Sequence, residues 1–334
     1  MYDARFGDPA RHPLAYYRAY GMQALADLIR ERTGYVCQRG PLVALVECLE
    51  TETPLLAEGK RGSGKSALGE ALAEAFGLTL FRLQGMSGLR LADILYEWDR
   101  EEQRHLSRAE KWTRAALHLG AVAAAFEHAE TVDENVILIL DELDKIDEPR
   151  QYTLLQVLQN GFIDVPRLEP PSRVGVVSAG RAWPIVYATS NDQKEKICEP
   201  LRSRFGYTWI EPPTPFEEIG IMIARVPEAD PELLRVVVKM MDFIRHMGGV
   251  RDKPALREMI KLLGALSRKG VAEMSEAVIE RHVVHFGKRQ TDVANILQAA
   301  KRISDAANRY NPLDDPMIDE AFRAATSRAA EAVA

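Results

Sequence analysis

Eight residues, Gly59-Lys-Arg-Gly-Ser-Gly-Lys-Ser66, do most to restrict what this chain folds into. They match the phosphate-cradling pattern G-x-x-x-x-G-K-[ST] at every fixed position. Glycines let successive backbone N–H groups turn inward around an anion, in conformations that a Cβ resists. A strand must deliver such a loop and a helix must leave it, with the helix dipole favouring the anion. Both are legible. Residues 54–58 are an apolar, β-rich run, and after Ser66 the residues Ala67, Leu68, Ala71, Leu72, Ala75 and Phe76 recur at helical spacing before Gly77 in a C-cap position. Lys65 is then expected to reach the β and γ phosphates of ATP, and the Ser66 hydroxyl to bind Mg²⁺. Gly59, Gly62, Ser63, Gly64 and Ala67 complete the candidate nucleotide-binding set, together with Lys60 and Arg61, variable loop positions that also read as solvated charges.

Further β-rich runs lie at 78–83, 136–140 and 185–189, with a weaker one at Tyr207 to Ile210, and helical patterns separate most of them. Strands alternating with amphipathic helices predict an α/β fold with a parallel five-stranded sheet covered on both faces. The run Val136-Ile-Leu-Ile-Leu140 is apolar throughout, as a central strand should be, and it ends in Asp141 and Glu142. Ligands of open α/β sheets sit at the carboxyl ends of strands. Asp141 suits the metal, and Glu142, one residue beyond, suits the base that orients and activates an attacking water. An ordinary acidic turn from Asp141 to Asp147 is the plainer alternative.

From about residue 216 the pattern is helical only: Glu232 to Met247, Pro254 to Arg268, Ser275 to Phe286 and Thr291 to Arg309, the last with the stripe Val293, Ile296, Leu297, Ala300, Ile303 and Ala307 behind an N-cap at Thr291. The expected organisation is an N-terminal extension over 1–34, an α/β domain over 35–212 and a helical region over 213–334. Residues 85–128 are long for a crossover and read as an insertion; residues 161–184 read as a loop or hairpin. In the extension, Tyr16, Tyr17 and Tyr20 read as part of a stapled helix or as a surface for a neighbouring subunit.

The chain has 334 residues, 46% hydrophobic and 28% charged, which suits a folded protein of roughly two domains of about 150 residues each. There is no apolar run of the length needed to span a bilayer, and the N-terminus lacks signal-peptide features, so a cytoplasmic location without a membrane span is expected. Cys37, Cys48 and Cys198 are scattered, which argues for free thiols rather than zinc or disulfides. A net charge of −6 argues against binding nucleic acid through bulk charge.

With Gly59 to Ser66 and Asp141-Glu142 in place, residues 35 to 265 resemble the AAA+ ATPases, most closely the MoxR-like group. The resemblance rests also on Asp141-Glu-Leu-Asp-Lys145, Leu154-Leu-Gln-Val-Leu158, Ala188-Thr-Ser-Asn191, Pro200-Leu-Arg-Ser-Arg-Phe205, and on Arg82-Leu-Gln with Leu95-Tyr-Glu-Trp98. It implies an AAA+ P-loop fold followed by a helical lid, and an ATPase that hydrolyses ATP to ADP and phosphate. It further implies that Asn191 is the polar sensor of the γ-phosphate. Arg204, with Arg202 as second choice, matches the finger inserted into a neighbouring subunit's site. Arg257, with Arg251 second, matches the lid arginine facing the nucleotide. The segment Gly248 to Arg257 departs from the usual Ser-Pro-Arg spelling, as Lys60 and Arg61 depart from the usual Pro-Pro. The implied assembly is a homo-oligomeric ring, usually of six subunits, remodelling or activating a protein partner, often one with a von Willebrand factor A domain. Two alternatives stand beside it: a nucleic-acid motor, since Pro200 to Gly206 is also similar to RuvB branch-migration ATPases, and a slow nucleotide-dependent assembly switch.

Overall fold

A computed structural model of the chain describes residues 8–107, 110–132, 135–170, 172–176, 178, 183–191, 196–309, 316 and 320. Two compact units divide it, Met1–Pro212 and Pro213–Ala334.

The first unit opens with helices α1 (Pro13–Thr33, kinked at Gly21) and α2 (Arg39–Glu50). Strand β1 (Leu55–Gly59), helix α3 (Lys65–Phe76) and strand β2 (Thr79–Gln84) follow. The long connection after β2 holds α4 (Leu91–Ile94), β3 (Tyr96–Trp98), α5 (Glu102–His105), β4 (Leu117–Leu119) and α6 (Ala121–Thr131). Then come β5 (Val136–Asp141), α7 (Glu148–Asn160), β6 (Phe162–Asp164), β7 (Arg173–Gly175), β8 (Ile185–Asn191), α8 (Glu199–Arg202) and β9 (Gly206–Trp209).

The main sheet has five strands in the order β2-β5-β8-β1-β9, every pair parallel. The chain runs from β1 to the far edge at β2, returns through β5 and β8, and then passes to the other side of β1. That reversal opens a crevice at the carboxyl end of β1, where the Gly-rich loop leaves. Side-chain parity sorts the strands cleanly. Val136, Leu138 and Leu140 join Leu56 and Ala188 in one core with α6 and α7. Ile137 and Ile139 join Leu55, Ala57 and Tyr187 in the other, under α1, α2 and α3.

The connection from β2 to β5 divides in two. Helix α6 packs on β2 and β5 as the crossover helix. What precedes it contains an antiparallel pair, β3 with β4, in the register Tyr96↔Leu119 and Trp98↔Leu117. A second antiparallel pair, β6 with β7, sets Phe162 opposite Gly175 and Asp164 opposite Arg173. Residues 171, 177 and 179–182 of the segment predicted as a hairpin lie outside the described residues.

Helix α3 lies close on the sheet at Gly69. A Cβ there would come within 2.7 Å of the Tyr187 ring and 2.9 Å of Ile139 Cδ1. Gly69→Ala is therefore expected to cost about 1–3 kcal/mol of stability through overpacking, despite alanine's better helix propensity. Chemical denaturation measures this; an unchanged or raised midpoint would mean the interface yields freely.

The second unit is helical, with α9 (Pro215–Arg225), α10 (Pro231–His246), α11 (Leu256–Ser267), α12 (Glu276–His282), α13 (Gln290–Gln298) and α14 (Ala300–Asn308) around one core. Helix α9 carries a start signal the sequence reading passed over, a capping box in which Thr214 and Glu217 exchange hydrogen bonds. The helix predicted over Thr291 to Arg309 is instead two. Helix α13 begins at Gln290, so Thr291 lies inside its first turn. The chain breaks at Ala299, whose N–H donates to the carbonyls of Asn295 and Ile296. Of the apolar stripe, Ile296, Ala300, Ile303 and Ala307 are buried on either side of the break, while Leu297 stays 37% exposed. The helix predicted to reach Phe286 ends at His282 and continues as a 3₁₀ turn over Val283–His285. Among the described residues no helix is long and apolar enough to cross a membrane.

Candidate active site

Parity and register build the site. Asp141 continues the series Ile137, Ile139 toward the face that carries α3, and Thr189 continues Ile185, Tyr187 on the same face. Leu140 pairs with Ala188, so Asp141 and Thr189 stand side by side one step further on. Helix α3 starts at Lys65, and its second residue is Ser66. The three side chains meet: the Ser66 hydroxyl donates to Asp141 Oδ1 at 2.7 Å, and the Thr189 hydroxyl donates to the same oxygen at 2.5 Å. Asp141 is buried.

The Gly-rich loop closes over this cluster. Gly64, at φ +89°, caps α3 in the left-handed region, where a side chain would be strained. Lys65 is buried, and its ammonium donates to the carbonyls of Gly59 and Lys60, each at 2.8 Å. Burial lowers its pKa, while Asp144, Asp141 and Glu142 pull it back up. The Ser63 hydroxyl is buried inside the loop and, among the described residues, has no hydrogen-bond partner. Lys60 and Arg61 are exposed. Tyr187 anchors the loop from below, its phenol donating to the Lys65 carbonyl at 2.8 Å; burial pushes the phenol well above its usual pKa, and the proton stays on.

Glu142 leaves β5 in a left-handed conformation, φ +54°, at a cost of order 1–2 kcal/mol for a residue with a Cβ. Its N–H donates to Thr189 Oγ1 at 2.9 Å, which holds that turn. Its carboxylate accepts from Gln84 Nε2 at 2.9 Å and pairs with Lys145. Gln84 is the last residue of β2 and lies in register with Asp141. Asn191 ends β8 opposite Gly59, and its N–H donates to the buried carboxylate of Asp144 at 3.2 Å. Residues 192–195 lie outside the described residues.

The structure thus gathers Lys65, Ser66, Asp141, Glu142 and Asn191 at the carboxyl edge of the sheet. Arg202 ends α8 and is half-buried. Arg204, in the turn to the edge strand β9, is exposed, its guanidinium 3.4 Å from Gln159 Oε1. Arg251 and Arg257 belong to the second unit and are exposed there. The loop bearing Arg251 is pinned by Asp292, fully buried, which accepts the N–H groups of Arg251 and Asp252. The sequence reading missed Gln84, Thr189 and Asp144. Thr189 carried a signal, since it sits two residues before Asn191 and so on the same strand face.

Hydroxyl and carboxylate oxygens suit a hard divalent cation such as Mg²⁺. A buried ammonium, an unpartnered buried hydroxyl and a helix N-terminus suit a phosphate chain. Site and ligand classes fit.

Residues 54–205 match the family described as AAA domain (dynein-related subfamily). The solved structure of the Thermotoga maritima RuvB Holliday junction branch migration motor is similar at 14% identity and a TM-score of 0.40, over 77% of this chain and 68% of that one. A likeness of that size carries no functional inference. A search of curated proteins finds no significant match. The fold is that of the AAA+ P-loop proteins.

Proposed function

We propose that the chain hydrolyses ATP to ADP and phosphate with Mg²⁺, in a ring of identical subunits of MoxR type that remodels or activates a protein partner. The observation that supports hydrolysis most strongly is the interlock at the sheet edge, in which Ser66 and Thr189 fix Asp141 while Gln84, Lys145 and the Thr189 hydroxyl fix Glu142.

In this reading the loop amides and Lys65 hold the phosphate chain. Ser66 and Asp141 hold the metal, which when bound neutralises charge on the phosphate oxygens. Glu142 orients a water and accepts its proton. Asn191, beside Gly59 at the strand ends, positions the terminal phosphate or that water. Gln84 and Lys145 set how freely the Glu142 carboxylate turns toward the phosphate. Arg204, exposed at the sheet edge, supplies positive charge to a neighbour's site, with Arg202 the second choice. Arg257 serves as the lid arginine, with Arg251 second. The protein partner is of the class that carries a von Willebrand factor A domain.

Arg204→Ala is expected to keep nucleotide affinity within a few-fold and to lose hydrolysis by about 10²-fold or more, since a finger arginine supplied in trans contributes at least that much. Mixing it with Glu142→Gln protein restores part of the rate, because some interfaces then combine an intact Glu142 with an intact Arg204. Mixtures no more active than either parent would place Arg204 outside the active interface.

A further inference from the structure

The turn that carries Glu142 is gripped from both neighbouring strands. On the β2 side the Gly85 N–H donates to the Asp141 carbonyl at 2.7 Å. The backbones approach so closely there that a Cβ on Gly85 would stand 2.1 Å from the Glu142 carbonyl oxygen. On the β8 side the grip is a single hydroxyl. Thr189 Oγ1 accepts the Glu142 N–H at 2.9 Å and donates its own proton to Asp141 Oδ1 at 2.5 Å. Thr189 is 1% exposed, so bulk water does not take over either bond.

The two bonds differ in kind. One goes to the side chain that faces the metal in the proposed mechanism. The other goes to backbone, at a residue whose φ of +54° is strained for anything with a Cβ. Gln84 and Lys145 hold the Glu142 carboxylate and Ser66 holds that of Asp141, but among the described residues Thr189 alone bonds both the Asp141 carboxylate and the Glu142 turn. Donating and accepting through one oxygen makes the bonds reinforce each other, since each polarises the hydroxyl for the other. A change at the Asp141 carboxylate is therefore felt at the backbone that aims Glu142. The branched Cβ of threonine restricts χ1 and keeps the hydroxyl between its two partners. Serine supplies the same oxygen with more freedom, and valine supplies the branch without the oxygen.

We infer that Thr189 is a positioning residue that couples the two carboxylates: its hydroxyl holds the metal-facing Asp141 and the turn that aims Glu142 in one arrangement, so that losing it impairs metal binding and hydrolysis together. The inference rests on the hydrolysis proposal for the roles of Asp141 and Glu142. Metal affinity is read without turnover, so a failed coupling and a failed ATPase give different results.

The test compares the full parent chain with Thr189→Val and Thr189→Ser. Steady-state hydrolysis at saturating Mg²⁺ gives kcat and KM for ATP. Electron paramagnetic resonance of free Mn²⁺ gives the metal affinity of the ADP-loaded protein. Thr189→Val is expected to lower kcat by about 10- to 100-fold, as misplacing a catalytic group does, with KM for ATP within about threefold. Its Mn²⁺ affinity should fall by about tenfold or more, the usual cost of removing a group that orients a metal ligand. Thr189→Ser should bring both quantities back to within about threefold of the parent. The melting temperature of Thr189→Val should also drop, because the Glu142 N–H loses its partner. A merely structural role would move that temperature and leave kcat and Mn²⁺ affinity alone. The inference is overturned if Thr189→Val keeps the parental kcat, if its kcat falls while Mn²⁺ affinity stays, or if serine rescues no better than valine. A parent that releases no phosphate would sink the hydrolysis proposal, and the Mn²⁺ affinities would still decide whether the hydroxyl holds Asp141.

Discussion

Glu142→Gln is expected to bind ATP with little change in affinity and to hydrolyse it about 10²–10⁴-fold more slowly, the range a positioned general base contributes. The substitution keeps the shape of the side chain and, with the amide oxygen toward Gln84, the hydrogen bond from there; it removes the negative charge that pairs with Lys145 together with the capacity to take a proton. The neighbouring Asp141 is buried on the α3 side of the sheet, where Ser66 and Thr189 hold its Oδ1 and, in this reading, its carboxylate faces the metal rather than the water. The left-handed turn at Glu142 is held by Thr189 and not by the carboxylate, so the fold survives the change. Single-turnover hydrolysis beside equilibrium nucleotide binding separates the two effects. A variant that turns over at the parental rate would remove Glu142 from the chemistry.

Lys65→Ala strikes binding instead. The ammonium is buried at the loop, where among the described residues it donates to two backbone carbonyls, and it can move from them onto phosphate oxygens. Charge-assisted hydrogen bonds are worth about 1.5–3 kcal/mol each, so losing two to the β and γ phosphates weakens ATP by roughly 10²-fold or more. Thermal unfolding gives a direct reading. Mg-ATP at a concentration that saturates the parent should raise its melting temperature, as binding to the folded state must, and raise that of Lys65→Ala far less. Equal ligand shifts would show that Lys65 does not hold the nucleotide.

Much of this site is written in local sequence. The Gly-rich octet names its own loop, and the apolar run before Asp141 announces a buried strand whose parity sends that carboxylate toward α3. The partners of Glu142 are another matter. Gln84 and Thr189 act because β2 and β8 both border β5, and strand order is a property of the folded sheet rather than of any window of residues. The three-residue strands β3 and β4 escaped notice for a related reason. Each is too short to show alternation, and their pairing spans the residues between Trp98 and Leu117. In the second unit the break at Ala299 falls inside a continuous helical stripe. Ile296, Ala300 and Ile303 would share one face of an unbroken helix too, so the apolar pattern carries no mark of the break, which is seen in the Ala299 N–H bonding to both Asn295 and Ile296. For the arginines, sequence offers several candidates of one type, and the difference between Arg202, half-buried on its helix, and Arg204, exposed in the turn beyond, is visible only in three dimensions.

The measurement that bears most directly on the central claim is the steady-state rate of Mg²⁺-dependent phosphate release per subunit, followed across protein concentration with sedimentation run in parallel. The account predicts a rate that rises steeply as subunits assemble and vanishes in Glu142→Gln. Absence of Mg²⁺-dependent release at every concentration would contradict it, and so would a rate per subunit that stays constant down to concentrations at which the chain sediments as a monomer.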